Sequence, residues 1–96
     1  MELIPQYEKF SKDEVDKIKS EMREIHGECI SDASNTLNFI FAENGNIANV
    51  LFFKINGIIM DSISFKTSND YTPFYSIKNM ATLGNKIRKR INSILD

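Results

Sequence analysis

The chain has 96 residues, of which 42% are hydrophobic and 26% charged, and its formal net charge is −1. This length allows one hydrophobic core, and the composition is that of a globular protein, which excludes an intrinsically disordered chain. The near-zero net charge argues against strong non-specific attraction to nucleic acid or to an acidic membrane surface.

The start of the chain and its cysteine content predict a cytoplasmic protein. Residues 1–5 contain no basic segment followed by an apolar run, so we expect no signal peptide. No apolar run approaches the roughly 20 residues of a transmembrane helix. Cys29 is the single cysteine, which excludes an internal disulfide. The abundance of Ile, Asn, Lys and Ser is typical of AT-rich genomes, such as those of low-GC bacteria and their phages.

The first helix is predicted to begin at Ser11. Ser11 and Glu14 form a capping-box pattern, and Phe10 and Val15 occupy the two hydrophobic-staple positions. The helix is predicted to end at Gly27, in the left-handed conformation that follows many helices. Its apolar stripe for burial is Val15, Ile18, Met22 and Ile25.

Two Asn-Gly dipeptides, Asn44-Gly45 and Asn56-Gly57, lie in the most hydrophobic stretch of the chain. Alternating apolar and polar residues flank each of them. Asn-Gly favours a two-residue type I′ turn, because both turn residues need a positive φ. Two such turns predict a three-stranded antiparallel meander, preceded by a connector. The connector is residues 28–34, and the strands are residues 36–43, 46–55 and 58–66.

The two-residue turns also fix which strand residues share a face, because a shift of one residue would exchange the faces. Glu43 then pairs with Asn46, and Ile55 pairs with Ile58. One face is almost wholly apolar and must be covered: Leu37, Phe39, Phe41, Ala48, Val50, Phe52, Ile63 and Phe65. The other face is mostly polar near the first turn and apolar near the second: Asn38, Ile40, Asn49, Leu51, Phe53, Ile55, Ile58, Met60, Ser62 and Ser64.

The second helix is predicted to begin at Pro73 with Thr72 as its N-cap, or slightly later with Ser76 as the cap. A glycine inside a helix costs about 1 kcal/mol relative to alanine. We therefore expect Gly84 to permit the close approach of another backbone. The predicted buried stripe is Ile77, Met80, Gly84, Ile87, Ile91 and Ile94.

These elements predict an α+β domain over residues 11–96, with an N-terminal arm, residues 1–10, that has no regular structure. The α-β-β-β-α order favours a two-layer sandwich with both helices on the apolar face of the sheet. This order resembles that of double-stranded-RNA-binding domains, which have a longer first hairpin loop and a lysine cluster at the start of the second helix. Here the first turn is Asn44-Gly45 alone, and Lys78 is the only cation near that start. Both differences disfavour RNA binding.

No sequence motif predicts catalysis, because Walker, GxGxxG, HExxH and GxSxG patterns are absent. His26, the only histidine, and Cys29 form with Glu24 and Glu28 a group too sparse for a closed zinc site. We predict that His26 complements the helix dipole and that Cys29 is a small buried residue. The protein is then non-enzymatic, without metal or cofactor, and an enzyme that uses His26 and Cys29 is the lesser alternative.

The charges are polarised along the chain. Residues 1–32 carry nine acidic and five basic residues, and residues 76–96 carry five basic and one acidic residue. The basic cluster is compatible with binding to phosphates or to an acidic protein. Attraction between an acidic and a basic helix, with cations near a helix C-terminus, is the favoured explanation. The cluster is Lys78, Lys86, Arg88, Lys89 and Arg90.

Two surfaces point to protein binding. Soluble monomers seldom expose a contiguous apolar patch such as that near the second turn. The strand over residues 36–43, predicted at the edge of the sheet, has neither Pro nor Lys and so favours pairing with another chain. Asp61 faces the apolar side beside Phe52, either as an edge-protecting charge or because the register slips. The patch is Leu51, Phe53, Ile55, Ile58 and Met60, and the residues that could cover it are Leu3, Ile4, Tyr7, Phe74 and Tyr75.

We therefore predict a small protein-binding module, an inhibitor or adaptor of the kind that phages and mobile elements encode. It is expected to form a homodimer and to occupy a partner's surface through the patch and the edge strand. The alternative is a nucleic-acid-binding domain that uses the basic cluster of the second helix.

Overall fold

The computed structural model describes residues 7–33, 35–43, 46–67 and 73–95, and the side chains of these residues except 67 and 73–80. Four antiparallel strands form one sheet in the order β1-β2-β3-β4. The α+β class is as predicted. The elements are α1 (Lys12–Glu24), β1 (Glu28–Ala33), β2 (Thr36–Glu43), β3 (Asn46–Ile55), β4 (Ile58–Thr67) and α2 (Pro73–Leu95).

The predicted number of three strands is wrong, because the segment predicted as a connector forms β1. This strand pairs antiparallel with β2, from Glu28 opposite Ile40 to Ala33 opposite Thr36, with a bulge between Cys29 and Ser31. As a result, β2 is an inner strand, and the predicted pairing of its edge with another chain is wrong. The added strand also separates the fold from the element order of double-stranded-RNA-binding domains.

The turn between β3 and β4 has the predicted geometry. Asn56 has φ 52° and Gly57 has φ 77°, as a type I′ turn requires. Ile55 pairs with Ile58 across this turn, as predicted. Asn44-Gly45 lies outside the described residues, but the strands on either side of it pair in the predicted register.

Both helices pack on one face of the sheet, here called the inner face, and α1 and α2 contribute to one core with it. Six of the eight residues predicted for this face are at most 2% exposed. Ile63 is only partly buried, and Phe65 is 38% exposed. Each fully buried large side chain stabilises the fold by roughly 1.5–3 kcal/mol. The core residues of the sheet are Leu37, Phe39, Phe41, Ala48, Val50 and Phe52.

The capping box predicted for α1 is present. The Ser11 side chain accepts from the Glu14 backbone N–H at 3.2 Å, and the Ser11 N–H donates to Glu14 Oε1 at 2.8 Å. Phe10 is 9% exposed, and Val15 packs against the core, as the staple positions predict.

The C-terminus of α1 differs from the prediction. The residue with positive φ is His26, at 65°, and not Gly27. The His26 N–H donates to Arg23 O at 3.0 Å and the Gly27 N–H donates to Met22 O at 2.8 Å, which is the Schellman pattern. Gly27 is required for another reason, because a Cβ there would lie 2.5 Å from the Phe41 ring.

α2 begins at Pro73, the first of the two predicted starts. Its predicted cap, Thr72, and the side chains of Ile77 and Met80 lie outside the described residues. A Cβ at Gly84 would lie 3.1 Å from the Phe65 ring. Gly84 therefore makes room for the side chain of Phe65, and not for another backbone as predicted. Within the described residues, no helix has the length and hydropathy needed to cross a bilayer. The buried side chains of α2 are Leu83, Ile87, Ile91 and Ile94.

Candidate functional site

The sheet face opposite the helices, here called the outer face, is the candidate site. Its composition follows from the pairing register, because directly paired residues share a face. The side chains at its centre are half-buried even though both helices pack on the other side. These central residues are Asn38, Ile40, Asn49, Leu51, Phe53 and Ile55.

The predicted apolar patch occupies the end of the outer face near the β3–β4 turn. Ile58 is 63% exposed and Met60 is 43% exposed, whereas Leu51, Phe53 and Ile55 are half-buried. These five residues therefore form the predicted contiguous surface, with its most accessible part on β4.

Tyr7 is the one predicted covering residue whose side chain the structure describes. Its ring centroid lies 4.9 Å from that of Phe53, so it covers part of Phe53, and it remains 43% exposed and adds its own ring to the patch. The described part of the arm contacts the sheet through Glu8, whose N–H donates to Lys54 O at 2.8 Å. The Glu8 side chain also accepts from the Gly57 N–H at 2.6 Å. Leu3, Ile4, Phe74 and Tyr75 lie outside the described side chains.

Sequence reasoning missed Ile47, which is half-buried on the outer face and pairs with Ala42 and Lys66. Counting outward from the first turn would have found it. Ile47 and Ile40 extend the apolar surface toward the end of the sheet that was predicted to be mostly polar.

Among the described strand residues, charged side chains on the outer face lie only at its two edges, and the Glu8 carboxylate of the arm lies beside it at the β3–β4 turn. Glu28 on β1 begins a row that continues through Ile40 and Asn49 to Ser64. Lys66 on β4 belongs to the adjacent row. Both are exposed, and neither forms an ion pair with another described residue.

The other charged strand residues point to the inner face, and each is paired with a helix residue. Their segregation leaves the centre of the outer face without charge. Hydrogen bonding to the Asp32 carboxylate raises the pKa of Lys19. The pKa of Glu14 is lowered, chiefly by the backbone N–H of Ser11 and next by Lys54. The pairs are Lys19–Asp32, Glu14–Lys54 at 2.9 Å, Lys86–Glu43 at 2.8 Å and Arg88–Asp61 at 3.3 Å.

The basic cluster of α2 is largely engaged within the protein. Lys86 and Arg88 pair with strand carboxylates, and Arg90 pairs with Glu21 of α1 at 3.2 Å. Lys89 is exposed and forms no ion pair among the described residues. The Lys78 side chain is not described. Within the described side chains, only the Arg90–Glu21 pair joins the basic cluster to the acidic residues of 1–32, and the other two pairs join it to the sheet.

His26 and Cys29 are not brought into a catalytic or metal-binding arrangement by the described residues. The prediction that Cys29 is buried is wrong, because β1 is an edge strand and all six of its residues are exposed. The Cys29 thiol donates to Ser31 O at 3.6 Å, across the bulge. In the part of the chain described, no group of three or more His, Cys, Asp or Glu side chains could hold a metal ion.

Comparison with known proteins assigns no family. No family model matches the chain, and neither a curated protein nor a solved structure matches it.

Proposed function

We propose that the protein is a non-enzymatic protein-binding module that occupies its partner's surface through the outer face. The observation that supports this proposal is the distribution of charge on that face. Its centre is apolar or carries amides and hydroxyls, and its only described charged strand residues, Glu28 and Lys66, lie at opposite edges. Protein interfaces have the same anatomy, with a core depleted of charge and a polar rim.

The exposed apolar residues supply the driving force. Met60 pairs with the half-buried Phe53, against which the Tyr7 ring lies, and Ile58 pairs with Ile55, so a partner would bury them together. At about 25 cal/mol per Å² of apolar surface, burial of Ile58 and Met60 would contribute roughly 1–2 kcal/mol each. Exposed patches of this kind mark interaction sites in soluble proteins.

The test is affinity capture by the tagged protein from a lysate of its native host, at high salt and after nuclease treatment. Ser62→Asp places a carboxylate on the outer face, where Ser62 is exposed and pairs with Leu51. Ser20→Asp, at an exposed position of α1, is the matched control. We expect a stoichiometric protein with wild type and Ser20→Asp and its loss with Ser62→Asp. Both variants should retain the wild-type circular dichroism spectrum.

If the Ser62→Asp variant still captures the protein, the outer face is not the binding surface and the proposal is wrong on this point. Recovery of nucleic acid that disappears with nuclease and with Lys89→Glu would favour the basic cluster of α2 instead. Such binding would also weaken steeply with salt.

A further inference from the structure

We infer that the outer face binds a second copy of this chain, through a two-fold axis that runs parallel to the strands between two facing sheets. This inference rests on the proposed function, because it names the partner of the same face. The evidence is the position of Glu28 and Lys66, the two charged strand residues described on that face.

The two charges have opposite sign and lie at opposite edges of the sheet, in adjacent rows. Glu28 is on β1, in the row that ends at Ser64, and Lys66 is two residues further along β4. Two residues along a strand span roughly 7 Å, and facing sheets lie about 10 Å apart. Extended glutamate and lysine side chains can therefore meet across a pair of facing sheets.

A two-fold axis parallel to the strands exchanges the two edges of the sheet. It lays β1 of one copy over β4 of the other, so Glu28 comes close to Lys66 of the partner subunit. Because the contact is isologous, the same pair forms twice. An axis in the interface plane but perpendicular to the strands would superpose β1 on β1 and leave each charge without its complement. Charge complementarity thus selects one orientation.

The dimensions of the face suit a small specific dimer. Four strands about 4.8 Å apart and 8–10 residues long in β2 and β3 form a surface of roughly 19 by 30 Å. The area of this plane is on the order of 500–600 Å² per copy. Side chains project from the plane, so the accessible area is larger and approaches the roughly 800 Å² per partner of specific interfaces. Sheets facing each other commonly pack with their strands about 30° apart, as their twist dictates.

The sheet edge at β1 is poorly suited to an alternative dimer through strand addition. β1 has six residues and a bulge between Cys29 and Ser31. Short, bulged edges are among the devices by which proteins avoid edge-to-edge pairing. At the β1 side of the sheet, a second copy is therefore expected to bind to the outer face and not to the strand edge.

Analytical ultracentrifugation of the full chain from about 1 to 100 μM tests the inference with four proteins: wild type, Glu28→Lys, Lys66→Glu and the double variant. We expect a wild-type dimer. Each single reversal should weaken it by roughly tenfold or more, since two attractive pairs become two repulsive ones. The double variant should restore it, because it exchanges the two charges in both copies. Lys89→Glu, the same change on α2, is the control and should leave the dimer unchanged.

A wild-type chain that is monomeric at every concentration would overturn the inference. So would a dimer that neither single reversal weakens. The proposed function is judged separately, because a different protein captured by wild type and lost with Ser62→Asp would support it even for a monomeric chain. Circular dichroism of each variant distinguishes loss of the dimer from loss of the fold.

Discussion

The Arg88 guanidinium of α2 pairs with the Asp61 carboxylate of β4, with 3.3 Å between Nη2 and Oδ2. Asp61 is directly opposite Phe52 in the sheet, so the register does not slip at the second turn. Its side chain is 12% exposed, against 50% for Arg88. Asp61 therefore places a carboxylate at the margin of the core, where the pairing ties the edge strand to α2.

Replacement of Arg88 by methionine should lower the free energy of unfolding by about 1–3 kcal/mol, because it leaves a mostly buried carboxylate without its cation. Urea denaturation at neutral pH measures the change. Lys89→Met is the matched control, since Lys89 is exposed and forms no ion pair among the described residues. The control should lie within about 0.5 kcal/mol of wild type. Equal losses in both variants would show that the pairing does not stabilise the fold.

The capping box of α1 makes stability sensitive to acid. The Ser11 N–H and Lys54 lower the pKa of Glu14 from its ordinary value of 4.5. Because the folded pKa lies below the unfolded one, the stabilising contribution is present above the unfolded pKa and is lost as the pH falls through the folded pKa. Glu14→Gln should cost about 0.5–1 kcal/mol at pH 7 and flatten the decline in stability below pH ~4.5.

Urea denaturation of Glu14→Gln at pH 7 and at several values below 4.5 measures this effect. Glu24→Gln, at an exposed position at the end of α1, is the control. A Glu14→Gln variant whose stability declines in acid as steeply as that of wild type would contradict the assignment.

Two glycines should respond in opposite ways to alanine. At Gly27 a Cβ would lie 2.5 Å from the buried Phe41 ring and 3.0 Å from Met22 O, so we expect a loss of about 1–3 kcal/mol. At Gly84 the Cβ would lie 3.1 Å from the Phe65 ring, which is 38% exposed and can shift. Gly84→Ala should therefore be neutral or stabilise by up to about 1 kcal/mol.

Thermal or urea unfolding of the two variants measures both changes. The contrast depends on whether the neighbouring ring can move. Destabilisation of similar size at both positions would mean that the Phe65 ring is held as firmly as that of Phe41.

The three long strands could be predicted because two separate signals agree. Alternation gives the faces, and each Asn-Gly fixes the register, so one count placed both Phe52 and Asp61 correctly. β1 could not be found in this way, because its six residues are all exposed and show no alternation of apolar and polar side chains. β1 forms because its backbone N–H and C=O groups pair with those of β2. The local sequence pattern does not reveal this pairing.

The candidate site was predictable to a similar extent. Counting from the second turn placed Phe53, Ile58 and Met60 on one surface. The position of Glu28 on the same face depends on β1, so it could not be inferred from the sequence. The spacing of residues along the sequence also does not predict the ion pairs between strands and helices. Arg90 and Glu21, for example, are far apart along the chain and meet only when α1 and α2 pack together.

The exposure of Cys29 gives a direct test of β1. Free cysteines are commonly buried, but this one lies on an exposed edge strand. Cys29 pairs with Phe39 of the inner face, and Asp32 of the same strand contacts Lys19 of α1, so the thiol is on the helix side of the sheet. We therefore expect the native protein, monomeric or dimeric, to react with Ellman's reagent without denaturant.

The reaction should yield one thiol per chain, as the sequence requires. Cys29→Ser should change the free energy of unfolding by less than about 0.5 kcal/mol, because no core contact is lost. A thiol that reacts only after urea is added would show that β1 is covered in solution. That result would contradict the exposed edge of β1.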